Sequence, residues 1–291
     1  MSEIVAPLAS ARAKSRKSAI MRALSQPGTI IGGTIVVFFA LVAIFAPALA
    51  PLDPNASDWA AIRKAPSAIH WFGTDDLGRD ILSRIIFGAR ASLAAGIIAV
   101  AIAIALGVPL GLIAGYFGGV IDALISRFAD ALLAVPFLVL AIALAAFLGA
   151  SLENAMIAIG VSAMPVFIRL TRGQVLTIKN EDYVTAVRAL GVRDHSIIVS
   201  HILPNVLAPI VVQGTITMAV AVLAEASLAF LGLGQRPPAP SWGSMLDVAR
   251  QFLTEAPWMA IWPGLAIIII VLGFNLLGDG LNDTLNPQQE D

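Results

Sequence analysis

Cysteine is absent from the 291 residues, and charge is scarce. Without a thiol the chain forms no disulfide and offers no thiolate to a metal, although that absence does not fix a compartment. Charged residues make up only 13% and the formal net charge is −1, so nothing argues for nucleic acid as a partner. Of the three histidines, His70 reads as an isolated loop residue, and His195 and His201 do not share a helix face cleanly. No metal site is expected from them. None of Lys14, Lys17, Lys64 and Lys179 follows the required glycine of a G-x-x-x-x-G-K-[ST] phosphate loop, and H-E-x-x-H and G-x-S-x-G are missing too. The chain is therefore not expected to be an enzyme by itself, nor to bind a cofactor.

What the chain has in quantity is apolar surface. Hydrophobic residues reach 58%, and mean hydropathy is +0.87, outside the range of ordinary soluble domains. A spanning helix needs about 20 mostly apolar residues. Six runs qualify, at residues 29–50, 91–116, 128–148, 154–170, 206–231 and 258–277, the fourth being the shortest. The expectation is an all-α polytopic membrane protein with six transmembrane helices in one membrane domain. The first run has the basic flank of a signal peptide and an Ala48-Leu49-Ala50 pseudo-site. It exceeds the usual 7–15 residue apolar core, and Pro51 is unsuited to cleavage, so it reads as a retained span.

Basic residues set the orientation. With the N-terminus inside, eleven (Arg12, Lys14, Arg16, Lys17, Arg22, Arg127, Arg169, Arg172, Lys179, Arg188 and Arg193) are cytoplasmic. Seven (Arg63, Lys64, Arg79, Arg84, Arg90, Arg236 and Arg250) are external. That bias favours both termini in the cytoplasm. The chain then divides into a basic cytoplasmic tail (1–28), a first span (29–50), an extracytoplasmic loop with an interfacial helix (51–90) and a transmembrane core (91–291). The core contains a cytoplasmic loop at 171–205.

Inside that loop, residues 179–204 read KNEDYVTAVRALGVRDHSIIVSHILP. Asn180 is placed to cap a helix whose first turn holds Glu181 and Asp182. Tyr183, Val187 and Leu190 recur at i, i+4 and i+7 as an apolar stripe. Gly191 stands where a helix ends in left-handed backbone. A second helix beginning at Asp194 is not expected to run smoothly through Pro204. Two short helices about a glycine elbow suggest a docking element for a soluble partner.

These residues carry a family resemblance. The segment resembles the E-A-A-x3-G-x9-I-x-L-P loop of ATP-binding-cassette importer permeases: Ala186, Gly191, Leu203 and Pro204 match, while Thr185, Val187 and His201 replace Glu, Ala and Ile. Residues 72–93 (FGTDDLGRDILSRIIFGARASL) and 225–246 (EASLAFLGLGQRPPAPSWGSML) are similar to the second, or C-type, permease of dipeptide and oligopeptide importers. The resemblance implies a type I importer fold and docking of an ATPase on Glu181, Tyr183, Thr185, Ala186, Val187, Leu190, Gly191, His201, Leu203 and Pro204. It also implies a second homologous permease, one or two cytoplasmic ATPases holding ATP and Mg, and an extracytoplasmic solute-binding protein that delivers a peptide-like solute. The setting would be a bacterial cytoplasmic membrane.

Other features remain open at this level. Glu225 stands in an apolar span and is read as structural or gating rather than as a substrate contact. Leu77, Ile81, Ile85 and Ile86 line one face of the expected interfacial helix, with Asp75, Asp76, Arg79, Asp80 and Arg84 outward. Pro109, Pro136, Pro165, Pro209 and Pro263 fall inside spans as candidate bends. Gly107, Gly111 and Gly115 form a close-approach stripe. Two alternatives stay in view: an ion-coupled secondary transporter, for which Glu225 is a thin ion site and no repeat is visible, and a membrane channel or scaffold.

Overall fold

The computed structural model describes residues 26–285, so the basic tail with Arg12, Lys14, Arg16, Lys17 and Arg22 lies outside the described residues. Nine helices of eight or more residues organise it: α1 Pro27–Ile44, α2 Ile81–Phe117, α3 Gly119–Leu133, α4 Phe137–Leu148, α5 Leu152–Ile178, α6 Asp182–Ala189, α7 Asp194–Phe230, α8 Trp242–Ala249 and α9 Trp258–Leu285. Among the described residues there is no strand beyond an isolated bridge between Thr74 and Asp80. Helices α1, α2, α5, α7 and α9 are each long and apolar enough to cross a membrane. The pair α3 and α4 makes a sixth crossing if taken as one span.

That pair corrects the expectation of one straight helix over 128–148. The two helices meet at 90° across the three residues 134–136. Pro136 is the reason: it has no N–H to continue the ladder, it pushes the preceding residue out of helical backbone, and it caps α4 instead. The other four intramembrane prolines sit inside continuous helices. Helix α5 also outruns the expected 154–170, because Arg169, Arg172 and Gln174 interrupt the hydropathy but not the helix.

The glycine stripe is used within the chain. A Cβ on Gly107 would lie 2.7 Å from Phe167, on Gly111 2.6 Å from Thr171, and on Gly115 2.7 Å from Val175. Only glycine permits that approach, and because the partners advance together, α2 and α5 run parallel with their backbones locked. Helix α1 docks on α9 through a comparable seam at Gly32 and Gly273.

Two large apolar clusters form most of the core, and a small third of Ala129, Met164 and Ile168 joins α3 to α5. One large cluster joins α2, α4, α5, α6 and α7 around Phe167, and includes Val184, Ile197 and Ile202 of the segment between α5 and the middle of α7. The other gathers α1, the start of α2, the end of α7, α8 and α9 around Trp242.

No separate interfacial helix precedes α2: Leu77 lies in a turn, and Ile81, Ile85 and Ile86 fall in the first turns of α2 itself. Asp80 accepts the Ser83 N–H at 2.8 Å and starts α2 at Ile81. Gly78, at φ +75°, is outside right-handed helical backbone, so the helix does not extend backwards through it, and a Cβ there would collide with the Asp58 carbonyl. The charges point inward rather than to solvent. Asp75 accepts from Arg79 Nε at 2.7 Å and pairs with Arg84 at 3.4 Å. Arg84 also donates to the Pro54 carbonyl at 2.9 Å. All of Asp75, Arg79, Asp80 and Arg84 are buried. His70, expected to stand alone, places Nδ1 3.0 Å from Asp80.

Candidate functional site

Helix α6 projects between the ends of α5 and α7. Its first residue is preceded by Glu181, which occupies the cap position without a side-chain hydrogen bond. Asn180, the expected cap, instead donates its amide to the Leu176 carbonyl at 3.1 Å and helps close α5. At the other end Gly191 adopts φ +76°. Its N–H bonds the Arg188 carbonyl at 3.0 Å, and the Val192 N–H reaches Val187 at 3.5 Å. That pair of reversed bonds is a Schellman closure, which needs left-handed backbone at the glycine.

The orientation of α6 departs from the expected stripe. Val184 is fully buried, and Val187 packs against the same core cluster. Val187 therefore lies half-buried on the side of α6 that faces the core. Glu181, Thr185, Ala186 and Leu190 remain exposed, Leu190 by 82%. Tyr183 lies at the edge: its hydroxyl accepts from the Asn205 amide at 3.0 Å and donates to the His201 carbonyl at 3.4 Å.

Pro204 produces no break. Helix α7 passes through it in a single run, relaxed by a π-helical turn at Ile198–Ile202. The wider turn accommodates the proline ring and its missing donor. The Asn205 side chain donates to the His201 carbonyl at 2.6 Å, occupying the acceptor that the irregular turn exposes. Leu203 packs into the α2–α5 cluster, while Pro204 is exposed.

Several anchors of this segment escaped sequence reasoning. Tyr116, at the end of α2, donates to Asp194 at 2.5 Å, and Arg188 stacks over its ring at 5.3 Å. Lys179 donates to the Gly115 carbonyl at 2.8 Å, satisfying an end-of-helix acceptor. These contacts join α6 and the start of α7 to α2. The only signal for them in the sequence is an aromatic–cation–carboxylate set spread over 78 positions.

Glu225 is remote from this segment and fully buried. Its Oε2 accepts from Ser92 Oγ at 3.1 Å. Ser92 in turn accepts the Trp242 N–H at 3.3 Å, and the Trp242 indole donates to the Ile85 carbonyl at 3.0 Å. This node ties α2, α7 and α8 together. Among the described residues, no three His, Cys, Asp or Glu side chains are grouped to hold a metal ion.

Comparison with known proteins adds the following. Residues 107–291 match the family model described as binding-protein-dependent transport system inner membrane component. Residues 16–66 match the N-terminal TM domain of oligopeptide transport permease C. The chain is 49% identical over 261 residues to the dipeptide transport system permease protein DppC of Alkalihalophilus pseudofirmus, covering 90% of this chain and 86% of that one. It is 47% identical over 264 residues to the glutathione transport system permease protein GsiD of Salmonella typhimurium, covering 90% and 87%. A solved structure of the MetNI methionine ABC transporter, inward facing, superposes with a TM-score of 0.58 at 20% identity, covering 71% of this chain and 98% of that chain.

Proposed function

The chain belongs to the family of binding-protein-dependent transport system inner membrane components, and from that premise we propose that it is a permease subunit of an ATP-driven importer for peptides or peptide-like solutes. The reading places both termini in the cytoplasm and makes residues 171–205 the coupling loop. ATP and Mg would belong to one or two separate ATPase subunits. A second homologous permease would complete the pathway, and an extracytoplasmic binding protein would deliver the solute.

The observation that carries this reading is the construction of α6. Its buried edge, Val184 and Val187, shares one core with α2, α5 and α7. Its opposite edge, Glu181, Thr185, Ala186 and Leu190, is left to solvent. A partner gripping that edge pushes on the packed core directly. Tyr183, Asn205 and His201 add a polar link from α6 to the π turn of α7. Closure of two ATPases on nucleotide would then move α6 as a rigid body and bias the spans between inward- and outward-open states. The ion-coupled alternative leans on Glu225, which here is engaged by Ser92 within packed helices rather than placed at an unwound segment.

The test is purification of the tagged chain from its native membrane in mild detergent. Co-purification of a second permease and of P-loop ATPases is expected. Recovery of the chain alone, under conditions that preserve other membrane complexes, would reject the assignment.

A further inference from the structure

Helix α3 is amphipathic in an unusual sense for a membrane segment. Asp122, Ser126 and Asp130 follow at i, i+4 and i+8, while Val120, Ile121, Leu124 and Phe128 form an exposed apolar face. The acidic row is turned towards α5. Arg172 grips Asp122 with two hydrogen bonds, 2.5 Å from Nε and 2.7 Å from a terminal nitrogen, and Ser126 donates to the same carboxylate at 3.0 Å. Asp130 pairs with Arg169 at 2.6 Å, yet the two side chains stay 56% and 59% exposed.

Helix α5 is otherwise among the most enclosed in the molecule. It buries Met164, Phe167, Ile168, Thr171 and Val175, and its exposed stripe in this half is Val166, Arg169, Gly173 and Thr177. A Cβ on Gly173 would meet nothing within 4 Å. Arg169 lies nine residues before the end of α5, about 14 Å along the axis at 1.5 Å per residue. An exposed ion pair on bilayer-crossing helices is costly against hydrocarbon and is tolerated against water. The apolar face of α3, by contrast, suits lipid.

We propose that the seam bearing Asp130, Arg169, Gly173 and Thr177 is a water-facing wall of the solute pathway at its inner mouth, with α3 standing between that water and the bilayer. The proposal rests on the importer reading above. Peptides carry both charges at their ends, and a wall presenting both signs holds neither end strongly.

The chain's lack of cysteine makes the test direct. Gly173→Cys, which leaves the ion pair intact, Arg169→Cys and Phe38→Cys, on the exposed apolar face of α1, are each assembled into the full complex in inverted membrane vesicles. Modification by the impermeant cation 2-(trimethylammonium)ethyl methanethiosulfonate is then timed, with the unsubstituted complex as background. We expect Gly173→Cys and Arg169→Cys to react at least about tenfold faster than Phe38→Cys, and to slow when ATP and vanadate trap the outward-facing state. Rates matching Phe38→Cys in both states would overturn the proposal, since the seam would then be covered by lipid or by a subunit. Fast rates unchanged by trapping would overturn it as well, because the seam would face bulk cytoplasm. Absence of ATP-driven dipeptide uptake by right-side-out vesicles that carry the unsubstituted complex, its binding protein and trapped ATP would reject the cargo reading alone, because the thiol rates do not depend on cargo.

Discussion

Replacing Gly191 by a graded series of residues asks whether the elbow between α6 and α7 transmits force through its backbone geometry. The glycine sits at φ +76°, and a Cβ there would meet nothing within 4 Å, so sterics with neighbours do not enter. What remains is the left-handed penalty, about 1–2 kcal/mol for an ordinary L-residue and less for Asn. At about 1.4 kcal/mol per tenfold, alanine shifts the elbow equilibrium about 5- to 30-fold towards an open turn. If docking requires the closed elbow, apparent affinity for the ATPase falls by the same factor. Proline is worse on two counts. It cannot take this φ, and it removes the N–H that now bonds Arg188. The expected order of ATPase retention and of ATP-dependent dipeptide uptake in proteoliposomes is Gly, Asn, Ala, then Pro, with Pro inactive. Gly264→Ala, on α9 with equally open surroundings and ordinary backbone, serves as the control and should be silent. An order that follows side-chain size instead, with Asn worse than Ala, would refute the reasoning, as would full uptake by Gly191→Pro.

The two edges of α6 should respond differently to one chemical change. Val184→Asp buries an unpaired carboxylate at a fully enclosed position and should lower the melting temperature of the solubilised chain; Leu190→Asp should leave melting alone while weakening ATPase retention. Ser92→Ala should cost about 1–3 kcal/mol for each buried group left without a partner, here Glu225 and the Trp242 N–H, and thermal melting with Ser92→Thr as the rescue checks it. In the loop before α2, burial first and the neighbouring Asp75 carboxylate second push Asp76 above its ordinary range. The folded state therefore holds the proton more tightly than the unfolded one, and this residue's contribution is best at acid pH and declines as pH rises through the folded value. Asp76→Asn should accordingly melt higher than the parent at neutral pH, with the gap narrowing on acidification; a gap that widens in acid would contradict the sign.

The spans and the helix–glycine–helix segment were legible because hydropathy and left-handed turn chemistry are local properties. Gly191 needed no knowledge of anything beyond its own helix end. Which edge of α6 is buried was not local. Tyr183, Val187 and Leu190 make a valid stripe, but so do Val184 and Val187, and the choice falls to the end of α2, where Tyr116 and Arg188 meet. The charges of residues 75–84 failed for the same reason. Their spacing fits a solvated helix face, whereas the carbonyls of Pro54 and Pro238 that enclose Arg84 come from 30 and 154 positions away. Pro136 and Pro204 show a further limit: one stops a helix and the other is absorbed by a π turn, although both interrupt the ladder in the same chemical way.

The glycine seam between α2 and α5 has a mechanical corollary. Two backbones in contact at successive turns cannot slide or splay without opening a void, so the pair behaves as one beam. Helix α2 is 37 residues long, about 55 Å at 1.5 Å per residue. Tilting such a beam by about 5° carries its far end about 5 Å, roughly one helical turn. A small stroke delivered where Lys179 meets Gly115 is thereby geared up at the opposite face of the membrane, beside the loop stapled by Asp75 and Arg84.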